Sequence, residues 1–133
     1  MKKVVLSAAI GADKYETKIS SGHHSFTVDE AKGLGGSGKG PDPFDLLLAS
    51  LVSCTAATLR MYVERKGWDI PLIEAEAALE GGLPDGSPKF VKTVSFPGSV
   101  LDENEQKRLK HISESCPVQK VLSGPISIVS QIV

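Results

Sequence analysis

The chain has 133 residues, of which 41% are hydrophobic and 23% are charged, and its formal net charge is −1. This length suits one core, so we expect a single domain over residues 1–133. The near-neutral charge argues against a nucleic-acid-binding protein, which usually presents a strongly basic face.

No targeting signal or membrane span is predicted. The N-terminal sequence MKKVVLSAAIGADKYETKI lacks the long apolar core of a signal peptide. The longest uncharged apolar run, residues 46–59, has 14 residues and contains four hydroxyl side chains, which makes it too short and too polar to cross a bilayer. Two cysteines without an export signal indicate a reducing compartment. We therefore expect a cytoplasmic protein that binds neither nucleic acid nor membrane.

Three strands are predicted in the first third of the chain. The segment KKVVLSAAI is apolar, and both KYETKI and HHSFTVDE alternate between apolar and polar residues. In the last of these, His24 shares the parity of Phe26 and Val28, so we expect His24 to point inward and His23 to point outward.

A glycine-rich segment, GLGGSGKGPDP at residues 33–43, follows the third strand. Its start matches the opening of a phosphate-binding P-loop. A P-loop needs Ser or Thr after the lysine and a helix that begins there. Here that position is Gly40, and Pro41 and Pro43 delay the helix. The sequence therefore predicts a connector rather than a nucleotide site.

The segment DPFDLLLASLVSCTAATLRMYVERKG predicts one long helix. Asp42 is a plausible N-cap, Pro43 fits the first turn and Gly67 ends the helix. At 1.5 Å per residue the helix is about 36 Å long. Its first half is apolar or small on every side, which predicts burial all round. One chain of this size does not cover such a helix, so an obligate homodimer is expected.

The second half of the chain predicts two more strands, a helix and a final strand. The strands are LIEAEAALEGG and PKFVKTVSF, joined by the turn-rich segment GGLPDGSP. A helix from about Asp102 to Ser115 starts with a capping-box pattern, and PISIVSQIV closes the chain as a strand. This order indicates an α+β fold with antiparallel sheets.

The two cysteines are candidates for thiol chemistry. Cys54 lies among small residues in the long helix, and Cys116 precedes Pro117, which predicts that it caps a short helix whose amides favour a thiolate. Both could equally be inert buried residues, and residue types alone leave this open. The cysteines and the three histidines lack the spacing of a metal site, so no metal is expected.

The segments GPDPFDLLLASLVSCTAATLRMYVERKGW and CPVQKVL resemble the OsmC/Ohr family of osmotically inducible and organic hydroperoxide resistance proteins. Together with HHSFTVDE they look most like a general OsmC-like branch. The resemblance implies the OsmC-like fold: antiparallel sheets wrapped around a long buried central helix in an intertwined homodimer. It also places the active sites at the subunit interface.

The resemblance implies thiol-dependent reduction of peroxides, organic hydroperoxides especially, as an antioxidant function in the oxidative stress response. Carried over by motif, Cys54 is the peroxidatic cysteine and Cys116 the resolving cysteine. An external dithiol would reduce the resulting disulfide, and no metal or organic cofactor is required.

The chain departs from the peroxidases of this family at two positions. Their glutamate in the first helical turn corresponds to Phe44, and no arginine precedes Arg60. Candidate supporting residues are Asp45, His24, Lys39 and Lys32. Two alternatives stay open: a non-catalytic dimer of the same fold that binds a small hydrophobic ligand, and a purely structural thiol pair.

Overall fold

The computed structural model describes residues 3–82, 84 and 86–133. They form α+β structure with antiparallel sheets, as predicted, in two compact units, Met1–Leu47 and Leu48–Val133. The elements in chain order are β1 (Ser7–Ile10), β2 (Thr17–Ser21), β3 (His24–Val28), a short 3-10 helix (Lys32–Leu34), α1 (Pro43–Lys66), β4 (Glu74–Glu80), β5 (Lys89–Ser95), α2 (Glu103–Glu114) and α3 (Pro117–Ser123).

The unit Met1–Leu47 contains the three predicted N-terminal strands, each shorter than its sequence segment. They form an antiparallel sheet in the order β1–β2–β3, in which Ile19 pairs with both Ala8 and Phe26. Only the end of β3 is buried, at Val28. The expectation that His24 points inward is wrong, because His24 is the first residue of the strand, next to the hairpin turn, and its side chain is exposed.

The glycine-rich connector is organised by a buried carboxylate, Asp29, which is 1% exposed. One oxygen accepts the backbone N–H groups of Tyr15 at 3.0 Å and Glu30 at 2.8 Å, and the other accepts that of Lys39 at 3.1 Å. Burial acts to raise the pKa of Asp29, but the hydrogen bonds from these amides and from that of Ser37 outweigh burial. The pKa of Asp29 is therefore below its usual value. Amides of the connector therefore bind a carboxylate of the protein. This agrees with the prediction that the segment is a connector and not a phosphate-binding P-loop.

The connector requires glycine where it approaches β3. A Cβ atom at Gly40 would overlap the backbone carbonyl of Thr27, whereas a Cβ at Gly33 meets open space. We expect Gly40→Ala to lower the free energy of unfolding by about 1–3 kcal/mol, because backbone must shift to admit the methyl group. The control Gly33→Ala should change it by less than about 0.5 kcal/mol. Urea denaturation measures both, and equal midpoints would contradict the close approach.

The predicted ends of α1 are confirmed. The Asp42 N–H donates to the Asp45 carboxylate at 3.0 Å, and the Asp45 N–H donates to the Asp42 carboxylate at 2.9 Å, which satisfies two amides at the helix start. At the other end Gly67 has a φ of 67°, and the Trp68 N–H donates to the Val63 carbonyl. This is the Schellman arrangement that glycine favours.

The predicted all-round burial of the first half of α1 is wrong for a single chain. The buried side chains lie along one face, because the chain supplies one layer of packing: Leu51, Thr55, Leu59, Tyr62 and Val63. Phe44 and Met61 are each 63% exposed. An apolar helix surface is therefore left uncovered.

By length and composition α1 could cross a membrane, with a mean hydropathy of 1.6 over its most apolar window. This goes beyond the expectation drawn from residues 46–59 alone, because the helix adds apolar residues beyond the two charges that bound this run: Phe44 before Asp45, and Met61, Tyr62 and Val63 after Arg60. The indication is weak, since the core helices of soluble proteins have the same composition.

The unit Leu48–Val133 has its core between α1, the β4–β5 hairpin and α2. The strands are antiparallel, with Ala75 opposite Val94 and Ala77 opposite Lys92. In the predicted turn before β5, Leu83 and Asp85 lie outside the described residues. The buried centre is apolar and consists of Leu59, Tyr62, Val63, Ile70 and Leu109.

Both predicted features of the C-terminal helices are confirmed, but the final strand is not. α2 starts with a capping box between Asp102 and Glu105, and α3 starts directly after Cys116. Residues 125–133 form no strand, and Ile128 is 85% exposed. A strand needs a neighbouring edge for its backbone groups, and no described strand of the same chain pairs with this segment.

Candidate active site: a thiol pair beside a lysine

The two cysteines lie side by side in the unit Leu48–Val133. α1 carries Cys54, which is half-buried, and the start of α3 carries Cys116, which is 0% exposed. Both are free thiols, and each sulfur lies close enough to the other to shift its pKa. The structure thus brings together the two residues that the sequence predicts as catalytic.

The groups around the pair shift the pKa values of its two thiols in opposite directions. Burial raises the pKa of Cys54, the hydrogen bond to Cys116 adds to this rise, and the Val118 amide and the Thr58 hydroxyl only partly offset it. Burial also acts to raise the pKa of Cys116. There the Cys54 thiol, the Gln119 amide and the Thr55 hydroxyl lower the pKa below its usual value. The negative charge of the reduced pair is therefore favoured on Cys116 and the proton on Cys54.

Lys92, on β5, is the cation that lies beside the thiol pair, and it is not among the candidate residues predicted from the sequence. Its Nζ donates to the Gln119 side-chain oxygen at 2.6 Å, to the Ser113 carbonyl at 2.7 Å and to Thr55 Oγ1 at 3.0 Å. Burial lowers the pKa of Lys92, and the nearby charges of Cys116, Glu114 and Cys54 raise it by less. Lys92 is therefore a partly desolvated cation whose charge acts on both thiols.

A signal for Lys92 is present in the sequence of β5. The half-buried residues Phe90, Val94 and Phe96 have the same parity as Lys92, which is itself half-buried. A lysine on the apolar face of an alternating strand is costly unless it is paired. The cross-strand neighbour Ala77 is small. The site is thus identifiable from strand parity rather than from a motif.

Two cavities meet at Lys92. One, of about 380 Å³, is lined by both apolar and polar side chains, and the apolar ones include Val94, Phe96 and Leu109. The other, of about 420 Å³, includes Phe90, Gln119 and Leu122. Both also contact Lys92, Lys110 and Ser113, so a small amphipathic molecule has room beside the ammonium group.

The four predicted supporting residues belong to the other unit, Met1–Leu47, where Lys32 is an exposed residue of the 3-10 helix. His24 is exposed, and Asp45 caps α1. Lys39 forms an ion pair with Glu16 at 3.3 Å, and its amide holds Asp29. Their action on the thiols stays a prediction. Within residues 3–82, 84 and 86–133, no group of three or more His, Cys, Asp or Glu residues is arranged to hold a metal ion.

Sequence comparison places these features in a known family. The model of the family described as OsmC-like protein matches residues 36–131. The uncharacterized protein YmaD of Bacillus subtilis is 23% identical over 118 residues, which are 83% of this chain and 79% of that protein.

Solved structures of similar fold come from several bacteria. One, described as an osmotic stress induced and detoxification response protein of Psychrobacter arcticus, has a TM-score of 0.74 at 21% identity and covers 90% of this chain and 88% of its own. The organic hydroperoxide resistance protein OsmC of Legionella pneumophila has a TM-score of 0.65 at 19% identity, covering 93% and 91%. The organic hydroperoxide resistance protein OhrB of Bacillus subtilis has 0.61 at 22%, covering 92% of both chains. The family match, over most of the chain, and the shared fold show that this protein belongs to the OsmC/Ohr family of OsmC-like proteins.

Proposed function

We propose that this protein is a thiol-dependent peroxidase that reduces organic hydroperoxides through Cys54 and Cys116. The observation that carries the proposal is the pair of neighbouring free thiols beside Lys92. The substrate class is supported by relatives of the same fold that are named organic hydroperoxide resistance proteins.

The proposed chemistry needs only two thiols, a hydroperoxide and an external dithiol. The Cys54 sulfur attacks one peroxide oxygen, the O–O bond breaks, and the other oxygen leaves as an alcohol after it takes up a proton. Cys54 is then a sulfenic acid. The Cys116 thiolate attacks the Cys54 sulfur, hydroxide leaves and is protonated to water, and a disulfide forms. The external dithiol returns two electrons by thiol–disulfide exchange.

Access to solvent supports Cys54 as the attacking residue. Cys54 is half-buried, whereas Cys116 is fully buried behind it. A hydroperoxide reaches the more accessible sulfur first. Cys116 already contacts Cys54, so the second step requires little movement.

A cytoplasmic homodimer is part of the proposal. The chain exposes apolar side chains near both ends, among them Val4, Val5, Ile128 and Val129. Large exposed apolar side chains in this number are typical of surfaces that a partner covers, and α1 is buried on one face only. A second copy that covers these surfaces accounts for both features.

The test is to mix reduced protein with cumene hydroperoxide or with hydrogen peroxide and to follow peroxide consumption and free thiols. We expect one equivalent of cumene hydroperoxide to remove both thiols, and dithiothreitol to restore them. The organic peroxide should react faster because each cavity at Lys92 has apolar side chains, such as Phe96 and Phe90, that its organic group can contact. Thiols that stay reduced in excess organic peroxide would contradict the proposal.

A ligand-binding function is the second candidate. It is favoured by a largely apolar groove of about 540 Å³ in the unit Met1–Leu47, lined in part by Ile10, Ile19, Val28 and Leu46. A protein with this function would bind an apolar fluorescent probe and leave both cysteines reduced in the same experiment. The two functions are thus distinguished by the number of free thiols that remain after exposure to the hydroperoxide.

A further inference from the structure

Lys92 has its hydrogen bonds satisfied without a carboxylate among its acceptors. An ammonium group has three donors, and here they are directed to a hydroxyl, a main-chain carbonyl and a side-chain amide oxygen. All three acceptors are neutral. A half-buried ammonium with only neutral partners is costly unless a negative charge lies nearby. The identity of that charge defines the role of Lys92.

The ionisable groups that face Lys92 come from three places. They are Cys54 on α1, Cys116 before α3, and Glu114 at the end of α2. Glu114 has its own partner, because Lys110 Nζ lies 3.0 Å from its carboxylate. The Lys110 hydrogen bond is also the main cause of the lowered pKa of Glu114, ahead of the charges of His111 and Lys92. Cys116 acts on Lys92 more strongly than Glu114, whose charge is shared with Lys110, so the buried thiol is the main counter-charge of Lys92.

Thr55 connects Lys92 to the buried sulfur. Its hydroxyl accepts a hydrogen bond from Lys92 and donates to the Leu51 carbonyl at 2.8 Å, and the same hydroxyl lowers the pKa of Cys116. A hydroxyl has one hydrogen, which it gives to one acceptor at a time. A bound ammonium makes the hydroxyl a better donor, and a charged sulfur is a stronger acceptor than a carbonyl. Thr55 thus favours negative charge on Cys116.

We propose that Lys92, with Thr55, is the positive group that keeps the negative charge of the reduced pair on Cys116, and that Cys116 is the base that accepts the Cys54 proton during attack. The proton-transfer part rests on the proposed function, whereas the charge arrangement does not. The proposal assigns separate roles to the two sulfurs: the accessible one reacts, and the buried one holds the charge.

The step balances in protons and electrons. In the resting pair Cys54 carries the proton and Cys116 is a thiolate. As the Cys54 sulfur bonds to a peroxide oxygen, its proton moves to Cys116 and the O–O bond breaks. The departing alkoxide takes a proton from Cys116 and leaves as an alcohol, so Cys116 is again a thiolate. Cys54 loses two electrons to the hydroperoxide when its sulfenic acid forms. The Cys116 thiolate then displaces hydroxide from that sulfur, the hydroxide is protonated to water, and the disulfide shares the oxidation between the two sulfurs.

The charge arrangement is tested without peroxide. Thiolate absorbance near 240 nm is titrated in reduced wild type, Lys92→Met, Lys92→Arg and the control Lys89→Met, which removes an exposed lysine from the same strand. We expect Lys92→Met to raise the first midpoint by about one pH unit, a tenfold loss of thiolate below it. Lys92→Arg should recover part of this shift, and Lys89→Met should match wild type.

A first midpoint in folded Lys92→Met equal to that of wild type would overturn the role of Lys92. Methionine is close in length to lysine and removes a desolvated charge, so the fold should persist. If this variant does not fold, Thr55→Ala serves instead, because it removes the hydroxyl between Lys92 and Cys116. A Thr55→Ala midpoint equal to wild type would overturn the proposal in the same way.

The proton transfer is tested by the rate at which Cys54 is oxidised in Cys116→Ala. At neutral pH we expect cumene hydroperoxide to oxidise Cys54 at least about tenfold more slowly than in wild type, and the rate to recover as pH rises and Cys54 ionises unaided. An unchanged rate at neutral pH would show that Cys116 is not the base. If wild type itself leaves cumene hydroperoxide intact, the proposed function and the proton transfer both fail, while the titration still decides the role of Lys92.

Discussion

Replacing Cys54 with serine is expected to slow hydroperoxide reduction by about a thousandfold or more, because the hydroxyl is not ionised at neutral pH and the only nucleophile is lost. Cys116 does not substitute, since it is fully buried. Serine is close to cysteine in size, so the helix and its packing should be retained. Circular dichroism and the urea midpoint check this.

Cys116→Ser is the matched partner of this variant. It should still form a sulfenic acid on Cys54, more slowly than wild type, and should then stall because no second thiol can close the disulfide. Dimedone labelling followed by mass spectrometry detects the trapped acid. A Cys54→Ser variant that consumes cumene hydroperoxide at the wild-type rate would contradict the assignment of Cys54. A dimedone adduct only on Cys116 in wild type would reverse the two roles.

Replacing Ile128 with aspartate is expected to weaken self-association by about a hundredfold or more. Ile128 is 85% exposed in the chain, within an apolar C-terminal segment that forms no strand. If a second copy buries this side chain, the substitution loses about 2 kcal/mol of burial and adds the cost of a desolvated charge. Sedimentation at several protein concentrations measures the change.

The control for this substitution is Asn104→Asp, which adds the same charge at an exposed position in the first turn of α2. It should leave the association constant unchanged, since the helix start tolerates a negative charge. Wild type that sediments as a monomer at micromolar concentration would contradict the dimer. Ile128→Asp that associates like wild type would show that this segment is not in the interface.

Local sequence signals predicted the elements whose ends depend on their own residues. Asp42 and Gly67 mark the ends of α1, and Asp102 with Glu105 marks the start of α2. The errors concern features that require a neighbour. All-round burial of α1 and a strand at residues 125–133 both need a second surface, which the single chain does not supply. Apolar patterning predicts that a surface is buried, but it does not predict whether the same chain or a second copy buries it.

The thiol pair can be predicted from local sequence context, whereas the cation beside it cannot. Cys54 and Cys116 stand in recognisable local contexts, a small-residue helix and a Cys-Pro helix start. Lys92 is distant from both along the chain and joins them only through the packing of β5 against α1 and the end of α2. Sequence position alone favours the cations of the N-terminal third, His24, Lys39 and Lys32, over a lysine on the apolar face of a distant strand.

The most direct test of the central claim is the covalent state of the two cysteines after one equivalent of cumene hydroperoxide. Peptide mapping by mass spectrometry, with and without dithiothreitol, gives this state. The account predicts a single disulfide between Cys54 and Cys116 that the dithiol fully reverses. Two free thiols after complete mixing, with the hydroperoxide unconsumed, would contradict it.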